Sequence, residues 1–382
     1  MKILQVHNYY QQAGGEDTVV AQEKELLEIN GHHVTTFYKQ NDEIENLTKF
    51  QKLRMVKDST WSKKTYEEVD HVLKNEKIDV CHVHNTLPLI TPSIYYACKK
   101  YNVPVVQTLH NYRLICTNGL LMREGRICED CLGRSAYGAI AKKCYRNSAL
   151  QTYVVARMLQ KNKHMGTWTN QVDAYLCLTE MAKQKFIEHG LPKNKITVKP
   201  NFIAIEPKAK KTDENYLLYA GRVTENKGLE LIKKLANDLT KTIKIAGDGD
   251  MVEELRKIPT IEILGRKTHD ETIELARNAK AILFPTTLYE GMPMTIIEAF
   301  ALKTPIIATE IGASKSMIRN KVTGLLFPLN SYPDFYNCVR FCLENPIKIN
   351  KIVEQAYQEY QNNYTPDSNY KMLLSAYQEV IG

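Results

Sequence analysis

Glu290 and Glu298 bracket the run Glu-Gly-Met-Pro-Met-Thr-Ile-Ile-Glu, with Gly291, Met292 and Pro293 between them. The residues just before, 281–286, read Ala-Ile-Leu-Phe-Pro-Thr, an apolar run closed by a proline, as in a buried strand. The expected local order is a strand, a loop carrying Glu290, then a helix that opens near Pro293 and carries Glu298. Proline suits the first helical turn, where its missing N–H costs nothing. The free N–H groups of that turn favour an anion, and Glu298 follows a little over one turn later. A ligand with phosphate at its middle and hydroxyls at both ends fits this layout, and a nucleotide-sugar is such a ligand.

A second group of polar residues follows the strand-like run 216–220. In Gly221-Arg222-Val223-Thr224-Glu225-Asn226-Lys227-Gly228, a glycine at each end lets the backbone turn and approach a ligand closely. Arg222 can fork two bonds onto phosphate oxygens, and Lys227 adds a point charge at the mouth of the helix expected over 229–239. Asp248 and Asp250 are spaced like a metal clamp, but the glycines at 247 and 249 indicate a tight turn. Near the N-terminus, Gly14 and Gly15 lie between the first strand and a helix. Phosphate loop and plain connector both remain open there, since no complete fingerprint is present.

His110 closes the strand-like run 103–110 and is placed to face a binding edge, where imidazole can donate to a sugar hydroxyl or stabilise charge. His82 and His84 alternate on one strand, so both face one side; these two and His7 read as structural. Cys116, Cys128, Cys131 and Cys144 form a C-x11-C-x2-C-x12-C series. In a reducing compartment that series fits structural zinc, with buried unpaired thiols as the other reading. The other five of the nine cysteines read as core.

These groups need elements to hold them. At 382 residues, with 43% hydrophobic and 25% charged residues, the chain has the length for two domains and the composition of a soluble globular protein. Strand-like runs at 2–7, 34–38, 79–84, 103–110, 174–178 and 197–199 alternate with helix-like ones such as 18–29 and 93–100. The pattern restarts at 216–220, 243–246, 261–264, 281–285 and 305–309. Such alternation predicts α/β architecture: two doubly wound, Rossmann-like domains with a cleft between the carboxyl ends of their sheets. The boundaries are expected at 1–203 for the first domain, 204–215 for a polar linker, 216–365 for the second domain and 366–382 for a terminal helix.

The net charge of +8 is concentrated in residues 101–200, which hold 15 Lys and Arg against 6 Asp and Glu. No nucleic-acid motif accompanies this excess, so an anionic membrane surface or lipid phosphate is the expected partner. The segment 145–168 mixes basic and apolar residues and fits equally a helix on a bilayer surface or one packed on its own domain. No run reaches the roughly 20 apolar residues of a spanning helix, and the start of the chain lacks a signal peptide's pattern. A cytoplasmic location, peripheral on the inner face of the membrane, is the expectation.

Taken together, these motifs resemble retaining glycosyltransferases of family 4, which have the GT-B fold. The likeness is strongest over 216–328, through Tyr219-Ala220-Gly221-Arg222, Lys227-Gly228, the Glu290/Glu298 element and Thr323-Gly324-Leu325-Leu326-Phe327-Pro328. The first half matches more loosely, at Gly14-Gly15, His110 and Pro200-Asn201. The resemblance implies that Arg222 and Lys227 hold the diphosphate of a UDP- or GDP-sugar, and that Glu298 accepts from the ribose. Glu290 would bind donor-sugar hydroxyls beside the Gly291-Met292-Pro293 backbone. Gly15 would approach the phosphate or acceptor, and His110 the sugar near its reacting carbon. The terminal helix would cross back to the first domain. Backbone near Gly265 would recognise the base, and catalysis would need no cofactor; the four cysteines are not general in the family. The implied activity is transfer of a hexosyl or N-acetylhexosaminyl group onto a glycan or lipid-linked precursor of a surface polysaccharide. A catalytically silent nucleotide-sugar-binding module is the alternative. A Rossmann oxidoreductase is disfavoured, because the first βα turn lacks the dinucleotide fingerprint.

Overall fold

Apolar runs of three to eight residues become parallel strands in two separate sheets. The computed structural model describes residues 1–11, 15–44, 48, 56, 58–206 and 215–382. One unit gathers residues 1–121, 129–200 and 369–382; the other gathers 122–128 and 201–368. The change of unit after Pro200 comes three residues before the expected boundary. Residues 201–206 already pack with the second unit, where Tyr364 O accepts from Ile203 N at 3.1 Å and Tyr360 donates to Ile203 O at 2.9 Å. Most of the expected linker, 207–214, lies outside the described residues.

The first unit runs β1 (Lys2–Tyr9), α1 (Gly15–Ile29), β2 (His33–Gln40), α2 (Lys63–Asn75), β3 (Val80–Val83), α3 (Ser93–Lys100) and β4 (Val105–Leu109). The small hairpin β5 (Met122–Arg123) and β6 (Arg126–Ile127) groups with the second unit. The first unit resumes with α4 (Ala149–His164), α5 (Thr167–Asn170), β7 (Ala174–Cys177), α6 (Glu180–Glu188) and β8 (Ile196–Val198). Its sheet order is β2-β1-β3-β4-β7-β8, so the winding reverses between β1 and β3. Ser62 caps α2, Ser148 caps α4 and Thr179 caps α6, each side chain accepting from a first-turn N–H.

The second unit runs β9 (Tyr216–Ala220), α7 (Leu229–Asp238), β10 (Thr242–Ala246), α8 (Val252–Leu255), β11 (Ile261–Gly265), α9 (His269–Asn278), β12 (Ala281–Phe284), α10 (Met294–Leu302), β13 (Ile306–Thr309), α11 (Gly312–Met317), β14 (Leu325–Phe327), α12 (Tyr332–Glu344) and α13 (Pro346–Asn363). Its order, β11-β10-β9-β12-β13-β14, reverses between β9 and β12. The two halves therefore share a plan but wind differently. The Leu-Leu-Phe stretch of the family motif is itself the edge strand β14, paired in parallel with β13. The core of this unit joins Leu217, Ile243 and Leu283 of the strands to Ile232, Leu235, Phe335 and Val339 of α7 and α12.

The chain closes with α14 (Pro366–Ile381), which belongs to the first unit from Asn369 onward. Leu373, Ala376 and Tyr377 sit in one apolar cluster with Ile3, Val80, Val106 and Leu176. Among the described residues no helix is long and apolar enough to cross a membrane.

Candidate active site

In open α/β sheets, ligands bind outside the carboxyl ends of the strands where the winding reverses. In the second unit that place lies beyond β9 and β12. The loop after β9 carries Arg222 and Lys227, and the loop after β12 carries Glu290. These loops are tied together by their backbones. Thr287 N and Oγ1 both reach Asn226 O, at 3.2 and 3.0 Å. Gly228 has φ +80°, and a Cβ there would stand 2.0 Å from Pro285 O, so this glycine serves loop-to-loop contact and not ligand approach. The same holds for Gly247, whose Cβ would meet Gly221 O at 1.8 Å. Gly247 and Gly249, the latter with a Cβ position 2.2 Å from Val223 O, thus let the turns after β9 and β10 touch.

This lashing brings Lys227 and Glu290 together. The Lys227 ammonium donates to Glu290 Oε1, which also accepts from Thr286 Oγ1 at 3.2 Å. The two charged side chains are 15% and 24% exposed, sheltered enough for the pair to persist without ligand. Among the described residues Oε2 of Glu290 has no hydrogen-bond partner. Arg222 is exposed, and no carboxylate among the described residues pairs with it. These three side chains, with Tyr219, Thr286, Pro293 and Thr295, line a cavity of about 180 Å³.

α10 begins at this cavity. Pro293 occupies its cap position and makes no side-chain capping bond; Ile296 N donates to Pro293 O at 3.1 Å, which leaves the N–H groups of Met294 and Thr295 open. The helix is buried along Ile296, Ile297, Ala299 and Phe300, which fixes its direction. Met292 is buried, and its sulfur accepts from Asn201 N at 3.1 Å; Gly291 lies between it and Glu290. Glu298 does not line the cavity. It is half-buried one turn along α10, with Oε1 3.9 Å from His269 Nδ1. Burial raises its pKa, against the opposing pull of His269. Gly265 ends β11 with φ +69° and nothing within 4 Å of where a Cβ would be. Asp248 bonds its own turn at Gly249 N and pairs with Arg266 at 3.3 Å, as a tight turn requires.

Sequence reading missed Thr286, Tyr219 and His269. A signal existed for the last: Thr268 and Glu271 form a reciprocal capping box that makes His269 the first residue of α9. Tyr219 stood in the motif that opens at 219 without being singled out, and Thr286 carried no signal, because its role depends on which loop meets which.

In the first unit, His84 and His110 belong to one chain of side-chain hydrogen bonds. Gln5 has its amide orientation fixed, since Oε1 accepts from Tyr38 and Nε2 donates to Val20 O at 3.2 Å. Nε2 also meets His84 Nε2 at 3.3 Å, so that ring nitrogen must be the acceptor. His84 then carries its proton on Nδ1 and donates to His110 Nε2 at 3.0 Å. His110 is left with N–H at Nδ1. Burial holds both rings well below their ordinary pKa, with neighbouring histidines and Lys199 adding to it. His110 is therefore a neutral hydrogen-bond donor and not an acid.

His82 bridges Thr108 Oγ1 and Tyr377 OH at 2.8 and 2.7 Å, and burial first, then Lys199, lowers its pKa to about 3. Its role is structural, joining β3 to α14. His7 bonds Asp17 at 2.8 Å. Gly15 opens α1, and Gly14 lies outside the described residues. Glu16, next along, is raised to about 8, by burial and then by Asp17.

None of the four cysteines of the spaced series is in a disulfide, and Cys116 donates to Asn118 Oδ1 at 2.9 Å. Among the described residues, the group of metal-type ligands gathered within 4.8 Å is Glu23, His82 and His84. There the buried Lys199 ammonium bonds Glu23 and supplies the cation that a metal would otherwise bring.

Known proteins share the family and the fold of this chain. The model described as "Glycosyltransferase Family 4" matches residues 13–206, and that described as "Glycosyl transferases group 1" matches residues 201–359. An uncharacterized glycosyltransferase of Methanocaldococcus jannaschii is 22% identical over all of this chain and 99% of its own. Two solved structures share the fold. The lipopolysaccharide outer core galactosyltransferase WaaB has a TM-score of 0.67 at 16% identity, covering 99% of each chain. HepE of Anabaena, solved with UDP, has a TM-score of 0.69 at 15% identity, covering 99% of this chain and 100% of its own. With two Rossmann-like units wound in the manner of GT-B enzymes and a family model spanning half its length, the chain belongs to glycosyltransferase family 4.

Proposed function

We propose that the chain transfers a hexosyl or N-acetylhexosaminyl group from a UDP- or GDP-sugar to a lipid-linked precursor of a surface glycan, with retention of configuration. The observation that carries the donor side is the meeting of Arg222, Lys227, Glu290 and the uncapped start of α10 at one cavity. As the bond from the sugar's anomeric carbon to phosphate breaks, its electron pair goes to the diphosphate. Fixed cations and open helix N–H groups stabilise that charge as it forms. The acceptor hydroxyl bonds the anomeric carbon on the same face and gives its proton to a departing phosphate oxygen. Glu290 is engaged by Lys227 and Thr286, which favours a sugar-binding role over a nucleophilic one. Glu298 accepts from the ribose, with Gly265 backbone near the base. His110 donates from Nδ1 to a hydroxyl of the donor sugar, and Gly15 lies on the acceptor side.

HepE was solved with UDP, and WaaB is by name a lipopolysaccharide galactosyltransferase; both support this donor and acceptor class. The basic residues of 101–200 support attachment to the inner membrane face. Structural zinc would require Cys116, Cys128, Cys131 and Cys144 to be drawn together, and elemental analysis of the purified chain tests that. Thermal shift against UDP- and GDP-sugars, followed by transfer assays on lipid-extracted acceptors, tests the function. A raised midpoint with one donor class is expected. Absence of any shift across the panel overturns the reading.

A further inference from the structure

A second crevice, of about 480 Å³, opens in the first unit. Its lining comes from the residues after β1, β3 and β4, so it sits where the first sheet's winding reverses between β1 and β3. One end is cationic. Arg113 and Arg146 lie over the ring of Tyr145, at 4.9 and 5.5 Å from its centroid. Arg113 is further held by Thr117 O. None of the described lining residues is Asp or Glu. The nearby Glu16, raised to about 8, is a neutral acid at neutral pH and leaves the arginine charge uncancelled. The other wall is apolar, built from Leu87 and Pro88 and from Val154, Val155 and Met158 of α4.

The loop that presents Arg146 is strained. Lys143, Arg146 and Asn147 all hold left-handed φ, between +48° and +52°. Such strain is retained where surrounding structure demands it, often beside ligands. α4 carries three stripes. Thr152, Ala156 and Leu159 are buried in the unit, Val154, Val155 and Met158 face the crevice, and Leu150, Tyr153, Arg157 and Lys161 form the outer stripe. Leu150 is 68% and Tyr153 44% exposed, and Tyr153 stacks on the exposed Tyr137. Apolar side chains interleaved with cations suit the boundary of an anionic bilayer.

We propose that this crevice binds the phosphate-bearing end of a lipid-linked acceptor, its phosphate on Arg113 and Arg146 and its chain along Val154, Val155 and Met158. The assignment rests on the transferase reading for its purpose but not for its geometry. Planar guanidiniums fork onto phosphate oxygens, and Tyr145 keeps the two arginines preorganised.

The test is calorimetry of the full chain with dodecyl phosphate below its micelle concentration, with inorganic phosphate and dodecanol as separate arms. Dodecyl phosphate should bind at least about tenfold more tightly than either arm, since only it joins both chemistries. Arg146→Glu and Val155→Asp, at positions not fully buried, should each weaken it by about tenfold or more while UDP binding is unchanged. Equal affinity for inorganic phosphate and dodecyl phosphate, or wild-type affinity in both variants, overturns the proposal. UDP titrated into the same samples separates the two readings. A chain that takes up dodecyl phosphate through Arg146 but not UDP keeps the crevice and loses the transferase reading. One that binds UDP but not dodecyl phosphate does the reverse.

Discussion

Glu290→Gln should have opposite effects on the two halves of the donor. The carboxylate now holds the Lys227 ammonium, at a place where neither side chain is more than a quarter exposed. Two unit charges about 3 Å apart at an effective dielectric of about 20 attract by about 5 kcal/mol before solvation is counted. Lost hydration and the hydrogen bonds that glutamine keeps to Lys227 and Thr286 reduce the difference to about 1–2 kcal/mol. Removing the negative charge frees Lys227 for phosphate, so UDP should bind about 5- to 30-fold more tightly. The sugar, in contrast, loses a charged acceptor for its hydroxyls, a loss of about 1.5–3 kcal/mol, and kcat/KM, which carries both changes, should fall by up to about 30-fold. Calorimetry with UDP and steady-state transfer kinetics read the two separately. Weaker or unchanged UDP binding in this variant refutes the idea that Lys227 is shared between Glu290 and the diphosphate.

Gly228→Ala should destabilise the second unit by about 3 kcal/mol or more, because its Cβ would overlap Pro285 O at a left-handed φ; a denaturation midpoint near wild type counts against this. Tyr377→Phe removes the hydroxyl bonded to His82 and should lower stability by about 1–2 kcal/mol, read by urea unfolding, with transfer activity retained at permissive temperature. His82, lowered from 6.5 to about 3, is neutral when folded and charges when unfolded, so its share of stability is complete above pH 6.5. That share should decline by about 1.4 kcal/mol per unit as pH falls from 6.5 toward 3, and a stability flat over this window refutes the assignment. Long-range nitrogen–proton NMR of labelled histidine should show His84 and His110 both as neutral Nδ1–H tautomers at pH 7; protonation of His110 at that pH breaks the chain of bonds from Gln5.

Periodicity made the strands legible, since buried parallel strands are short apolar runs bounded by loops. The sheet orders were not, because a β–α unit places its next strand on either side with the same local pattern. One half puts β2 at its edge and the other puts β11 there. Arg222, Lys227 and Glu290 were readable as chemistry, each just beyond a strand. The Lys227–Glu290 pair was not, for it depends on Asn226, Thr287 and Gly228 lashing two loops together. Gly228, expected to approach a ligand, instead lets backbone meet backbone. The buried Lys199–Glu23 bond links residues 176 positions apart, and neither has a sequence context that announces a partner.

The placement of α14 has a consequence for how the chain is made. Synthesis is vectorial, and the strands of the first sheet emerge from the ribosome long before Leu373, Ala376 and Tyr377. The apolar face they cover must wait uncovered while the whole of 201–368 is translated. The later-born unit has all its strands available before the earlier-born one is finished. Nonsense truncation before Leu373 should therefore damage the first unit, and chaperone demand should centre on its sheet.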